Sequence, residues 1–498
     1  MSATHTVSPS TRPNILWYCS DQQRFDTIAA LGNPHIHTPR LDQFIREGVA
    51  FTHAFCQSPI CTPSRAGFLT GMYPSALAVN GNGYREFPAY YAERLITRQL
   101  ADAGYDCGLV GKLHLASAAN GQEQRVDDGY RSVQYSHSHK GPREYGHDYA
   151  EWLRQQGADP DTLMADQSPG TYRQGAEKKE FGGVFVPTAV HDTIPPHLHQ
   201  THWCTDKSIA FIEKNRKADQ PWLLSVNPFD PHAPFDAPWE YFRRYDPETL
   251  PGAHFAEGDL AHQQKLVDAG VDFQSKPRHP DEWDHKRMQA SYYAMIEQID
   301  HEFGRLLDYL DATGQRANTI VIFCSDHGEM LGDHGVILKG CRLYEGLVRV
   351  PLIISWPGHF QQNTINDALV ELTDLAPTLY EAAGLPIPYY VQGKSLLPQL
   401  TGQQESAAHR DFVRTEFYGA INFPDQTHAT MYRDRRWKLI SYHGKDLFEL
   451  YDLENDPWEH HDLSTDPTYR DLLYELVCKS FDATVYTHPP MPARVASF

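Results

Sequence analysis

Five short apolar runs, each closing on polar or turn-forming residues, constrain this chain more than any other feature. They lie at residues 14–19, 107–111, 221–226, 319–324 and 350–355. Continuous hydrophobicity without alternation marks strands buried on both faces. Between them run segments with helical spacing. Residues 38–48 place Leu41, Phe44 and Ile45 on one face, and residues 285–313 carry Met288, Tyr292, Met295, Ile299, Phe303, Leu306 and Leu310. Further helices are predicted at 93–103, 202–217 and 373–383. Strands alternating with helices in this way predict an α/β fold, a large mainly parallel sheet flanked by helices on both faces.

From about residue 402 the texture changes. Short strand-like segments at 431–432 and 437–442 precede a turn at 450–457 and a helix near 469–481. The expected division is a catalytic domain over 1–400 and a smaller C-terminal α+β subdomain with an antiparallel sheet over 401–498. Residues 126–196 are polar, rich in His, Tyr and Gly and without periodicity, so they read as long loops over one face. His137, His139, Arg143 and His147 in that stretch read mainly as surface residues.

Composition narrows the function. A net charge of −20 leaves no basic surplus for nonspecific nucleic-acid binding, although a local cationic pocket still suits an anionic substrate. The eight cysteines are scattered without a C-x-x-C pair, which does not indicate a disulfide framework. The polar N-terminus lacks an apolar signal-peptide core, and no run is long and apolar enough to span a membrane. The expectation is a soluble, cytoplasmic protein; oligomeric state is open, with a homo-oligomer among the options.

Chemistry concentrates where strands end. Asp21 and Asp326 each follow a buried strand, the edge at which open α/β sheets build their sites. By position alone Asp21 serves equally well as a cap. Two such carboxylates meeting in one crevice suit a hard divalent cation, with His327 as a further ligand. Arg65, Lys112, His114, His232 and Lys339 are cationic or imidazole groups suited to a tetrahedral oxyanion, and an extended chain would turn 112 and 114 to one side. Cys61 precedes Pro63 and Ser64, which suit a helix start, so it is expected at a helix N-terminus where an anion is favoured. An ordinary buried cysteine is the other reading of that residue.

The run SPICTPSRAGFLTG resembles the signature of the sulfatase family, whose C-x-P-S-R cysteine is oxidised to formylglycine. The likeness extends through PNILWYCSDQQR, GKLHL, DPHAPF, SDHGEMLGDHG with the later Lys339, and ELYDLENDPWEHHDL. It implies an alkaline-phosphatase-like fold and hydrolysis of a sulfate ester. By resemblance, Asp21, Gln22, Asp326 and His327 hold Ca²⁺ (Mg²⁺ or Mn²⁺ as alternatives) together with the formylglycine made from Cys61. One hydroxyl of the hydrated formylglycine, activated by the metal and Asp326, attacks sulfur. His232 or Lys339 protonates the leaving alcohol, and His114 helps the second hydroxyl expel sulfate. Arg65, Lys112, His232 and Lys339 would bind the sulfate, and Asn82 falls where the family places a polar residue near the site.

Gln22 stands where many members have aspartate, and His327 where many have asparagine. Both changes occur in relatives that include phosphonate monoester hydrolases, so a phosphonate monoester or phosphodiester hydrolase is the alternative. Lys112 and His114 lean back toward sulfatases. A catalytically inactive binding protein is the reading from another class. The implied partners are a small-molecule or oligosaccharide sulfate ester and a formylglycine-generating or other sulfatase-maturating enzyme.

Overall fold

The structure, a computed structural model, describes residues 12–118, 123–137, 147–164, 194–216, 219–271, 276–405, 409–421 and 426–488. His139, Arg143 and the tail beyond residue 488 lie outside them. The five apolar runs form β1 (Asn14–Ser20), β3 (Asp106–Gly111), β5 (Trp222–Asn227), β6 (Thr319–Ser325) and β7 (Arg349–Ser355), and three further strands join them, β2 (Val49–Phe55), β4 (Ser132–Tyr135) and β8 (Thr364–Glu371). They join in the order β4-β3-β5-β1-β6-β7-β2-β8.

Pairing is parallel throughout except at β7, which runs against both β6 and β2. Two reversals restore the direction, so β3, β5, β1, β6 and β2 all deliver their C-termini to one edge. Gly111, Asn227, Ser20, Ser325 and Phe55 end there. That shared edge gathers residues distant in sequence.

Alternation along β1 feeds both faces, as strand geometry requires. Ile15, Trp17 and Cys19 join the core on the side of the helix Cys61–Thr70. Leu16 and Tyr18 pack on the other side with Phe44, Trp203 and Phe303, from the helices Pro39–Arg46, Gln200–Asn215 and His285–Ala312. Trp17 lies 5.2 Å from Phe68 and Tyr18 5.3 Å from Phe303, centroid to centroid. Each fully buried aromatic contributes roughly 1.5–3 kcal/mol by area.

The smaller antiparallel sheet is β9 (Val413–Tyr418), β10 (His428–Arg433), β11 (Trp437–Tyr442) and β12 (Leu447–Asp452), ordered β12-β11-β10-β9. Its Leu439 and Leu450 pack with Leu476 of the helix Arg470–Val485, while Ile440 and Tyr442 belong to the main core. The turn expected at 450–457 is shorter, because Leu450–Asp452 pair with β11 in the ladder. Residues 126–196 are not all loop. They include β4 and the helix Asp148–Gln155, whose Tyr149, Trp152 and Leu153 are buried at helical spacing. Among the described residues no helix is long and apolar enough to cross a membrane.

Candidate active site

Cys61 is the first residue of its helix, as the Pro63 start implies, with Ile60 extended before it. Ser64 does not cap that helix. Its hydroxyl donates to the Asp326 carbonyl at 2.5 Å, tying the helix to the end of β6. The free Thr62 N–H is instead taken by Asn82 Oδ1 at 3.0 Å, a cap supplied from a later loop. Asn82 therefore acts on the helix that carries Cys61.

Around Cys61 Sγ the strand ends converge. Lys339 Nζ lies 2.9 Å away, His327 Nε2 3.2 Å, and Asp21 Oδ1 and Lys112 Nζ 3.8 Å each. His114 lies near enough to the sulfur for each group to influence the other's ionisation. Burial pushes the Cys61 thiol up, but Lys112, Lys339 and His327 outweigh it and hold the group well below the usual thiol range.

The carboxylates are fully buried and fixed. Asp326 Oδ2 accepts from Arg65 Nε at 2.8 Å, and its Oδ1 accepts the Gln22 and His327 N–H groups, each at 3.0 Å. Asp21 Oδ2 pairs with Lys112 Nζ and, at 3.3 Å, Arg65 Nη2. Burial pushes the Asp21 carboxyl up, yet Lys112, His232 and Arg65 bring it below the carboxylate range.

Gly111 lets the chain turn here. Its φ is +99°, and a Cβ would sit 2.0 Å from the Asn227 carbonyl oxygen. Residues 112–114 are consequently not extended as expected; β3 stops at Gly111 and His114 has φ +56°. Both side chains still reach the site, by this turn and not by strand alternation. Burial and Lys112 lower the His114 imidazole to about 4, so it is neutral near pH 7.

His232 Nδ1 faces the Ala233 carbonyl at 2.7 Å, which places the proton on Nδ1 and leaves Nε2 to accept from Lys339 Nζ at 2.9 Å. Burial and Lys339 depress its basicity.

Asp21, Cys61, Asp326 and His327 each offer one ligand atom, all within 4.8 Å of one another. His327 Nδ1 is engaged by the Gly328 carbonyl at 2.8 Å, which frees Nε2 for a cation. Two buried carboxylates and a correctly disposed imidazole fit a divalent ion. The Gln22 amide is anchored elsewhere, donating to Glu329 and accepting from Lys339 at 3.0 Å.

Two supporting acids escaped the sequence reading. Glu329 accepts the Leu331 N–H at 2.9 Å and the Leu338 N–H, pinning the loop that presents Lys339. It sits inside SDHGE, so its neighbours signalled it. Glu123 accepts from His114, Leu115 and Ala116 N–H groups at 2.7, 2.5 and 2.7 Å, and nothing in its polar surroundings marked it. His137, read as surface, stacks edge-on to His114 at 4.7 Å. A separate cavity of about 330 Å³, lined by residues that include Arg24, Asp26, His254 and Trp458, contains none of the groups around Cys61.

A mainly parallel sheet flanked by helices, with a separate small antiparallel sheet, is the alkaline-phosphatase-like fold. The phosphonate monoester hydrolase of Agrobacterium radiobacter shares this fold, with a TM-score of 0.75 at 24% identity, covering 96% of each chain. The chain belongs to the sulfatase family, and is a sulfuric ester hydrolase. The family model Sulfatase matches residues 13–385, and N-sulphoglucosamine sulphohydrolase, C-terminal, matches 332–483. It is 30% identical to an arylsulfatase of Clostridium perfringens, over 95% of each chain. It is also 25% identical to an N-acetylglucosamine-6-O-sulfatase of Bacteroides thetaiotaomicron, covering 90% of this chain and 82% of the other.

Proposed function

We propose that this chain hydrolyses the sulfate ester of a sugar or a small alkyl or aryl alcohol, using a formylglycine made from Cys61 by a sulfatase-maturating enzyme. The observation that carries the proposal is the position of Cys61, at a helix N-terminus between two buried carboxylates and the ammonium groups of Lys112 and Lys339. Asp21, Asp326 and His327 would hold Ca²⁺. Hydrated formylglycine supplies a regenerable oxygen nucleophile, and the cation supplies charge neutralisation for sulfate oxygens.

The remaining work falls to the chain's own side chains. Arg65 locks both carboxylates in place through its two bonds, and Lys112 and Lys339 face the reacting position as fixed positive charges that need no reorganisation. Lys339, kept protonated beside Cys61, donates to the leaving oxygen, and neutral His232 orients that ammonium through Nε2. His114, neutral near pH 7 and beside Cys61, accepts a proton there. The sulfated-sugar reading draws support from the N-acetylglucosamine-6-O-sulfatase relative.

Cys61→Ala and Cys61→Ser should each abolish aryl sulfate turnover while leaving the thermal unfolding midpoint near that of the parent. Near-normal turnover in either variant overturns the mechanism. Phosphonate monoester hydrolysis is a second reading, favoured by the His327 imidazole beside Cys61 Sγ and opposed by Lys112 and His114. Turnover of an aryl sulfate against a phenylphosphonate monoester, on one preparation, separates the two.

A further inference from the structure

Asp259, His334 and His460 form a second cluster, apart from the Cys61 site. Asp259 opens the helix Asp259–Asp268, His334 lies in the loop between Glu329 and Lys339, and His460 lies in the segment after β12. The three come from widely separated parts of the sequence, so only the fold brings them together. Their ligand atoms all lie within 4.8 Å of one another.

The spacing matches that of donors around a metal, with both histidine nitrogens also within ion-pair reach of the Asp259 carboxylate. His460 Nδ1 lies 3.1 Å from each Asp259 oxygen, and His334 Nδ1 lies 3.6 Å from Asp259 Oδ1. Zinc bonds of about 2.0–2.1 Å in a tetrahedron separate donors by about 3.3 Å. Both imidazoles offer Nδ1 to the same carboxylate, and their rings are only 5.1 Å apart, so protonating both would set two like charges together.

The surroundings hold the donors still. The His334 ring stacks on Tyr344 at 4.2 Å, and the backbone N–H of His334 donates to the His254 carbonyl at 3.0 Å. Asp259 Oδ2 also accepts the Ala256 N–H at 2.8 Å, and His460 N–H donates to Asp456 Oδ1 at 3.0 Å. Asp259 and His334 are buried, whereas the His460 side chain keeps 17% of its surface exposed, which leaves a side open for water as a fourth ligand.

We infer that Asp259, His334 and His460 bind a late first-row divalent cation of the zinc class, fastening the segment after β12 to the loop that presents Lys339. Two nitrogens and one oxygen select such an ion over Ca²⁺. The inference is independent of the sulfate-ester chemistry.

The test uses the full-length protein, stripped of metal by a chelator and then saturated with Ca²⁺. Zn²⁺ is added, and uptake is followed by calorimetry and by elemental analysis after desalting. The parent should bind one more equivalent of Zn²⁺ than His460→Ala, and zinc should raise the thermal midpoint of the parent and not of that variant. His461→Ala, which removes the neighbouring histidine with its 80% exposed side chain, should bind as the parent does. If His460→Ala fails to melt cooperatively, His460→Gln replaces it. Equal stoichiometry and affinity in parent and His460 variant overturns the inference, as does loss of the extra equivalent in His461→Ala.

Discussion

Lys339 Nζ contacts four groups, Cys61 Sγ and His232 Nε2 at 2.9 Å, Gln22 Oε1 at 3.0 Å and His327 Nε2 at 3.4 Å. Burial would lower its basicity, but Cys61, Asp21 and Asp326 raise it, so the ammonium persists. An ammonium held this way serves both sulfate binding and leaving-group protonation. Lys339→Met should lower kcat by about 10²–10⁴-fold, a range typical of a lost proton donor or charge. The loss should grow with the basicity of the leaving alcohol, because a poor leaving group depends most on protonation. Steady-state rates across aryl sulfates of graded phenol acidity check this, and a uniform loss would reduce Lys339 to sulfate binding. Asp21 and Asp326 were legible as carboxylates at strand ends, although position alone left Asp21 equally a cap, whereas Cys61, Arg65 and Lys112 stood out mainly through the likeness to the sulfatase motifs. Glu123 was not legible, since its function is only to accept three backbone N–H groups folded onto it.

At the scale of elements, the helices Gln200–Asn215 and His285–Ala312 cover one face of the sheet and are joined by charge as well as by packing. His202 Nδ1 meets Glu302 at 2.8 Å, and Arg305 bridges Glu302 at 2.7 Å and Asp206 at 2.9 Å. Burial alone would lower the His202 imidazole, but Asp206 and Glu302 raise it to about 9. Since the unfolded value is near 6.5, this pair contributes fully below pH 6.5, and its stabilisation is lost as pH rises through about 9. His202→Gln should flatten the fall in thermal midpoint between pH 6.5 and 9.5 relative to the parent. An unchanged pH slope would remove His202 from that account. The helices themselves followed from their 3.6-residue periodicity. β12 was read as turn, because its Leu447–Asp452 strand is short and gains its pattern only beside β11.

At the scale of the whole molecule, the small sheet meets the main body through buried charge. Lys438 of β11, fully buried, pairs with Glu345 at 3.3 Å and Glu459 at 2.6 Å, and Arg433 approaches Glu345 at 3.5 Å. Burial and Glu345 raise the Glu459 carboxyl to about 7 despite Lys438. Lys438→Met would leave that carboxyl unpaired, and breaking one side of a buried pair costs about 3–5 kcal/mol. Urea unfolding should show this loss at pH 8 and a smaller one at pH 5.5, where Glu459 takes up a proton. An equal loss at both values would mean that packing, and not charge, is what Lys438 supplies.

The sequence by itself determined five of the eight strands of the main sheet, most helices between them, the place of Cys61 at a helix start and the acidic strand ends. Each of these is a local pattern, set by hydrophobic period or by residue type at a boundary. Only the tertiary structure decided which strand ends share an edge, because that depends on β7 reversing the direction twice across its two neighbours. It likewise decided that Asn82 caps the Cys61 helix, that Glu329 pins the Lys339 loop, and that Asp259, His334 and His460 converge. Those relations join residues far apart in the chain, and no local period records them.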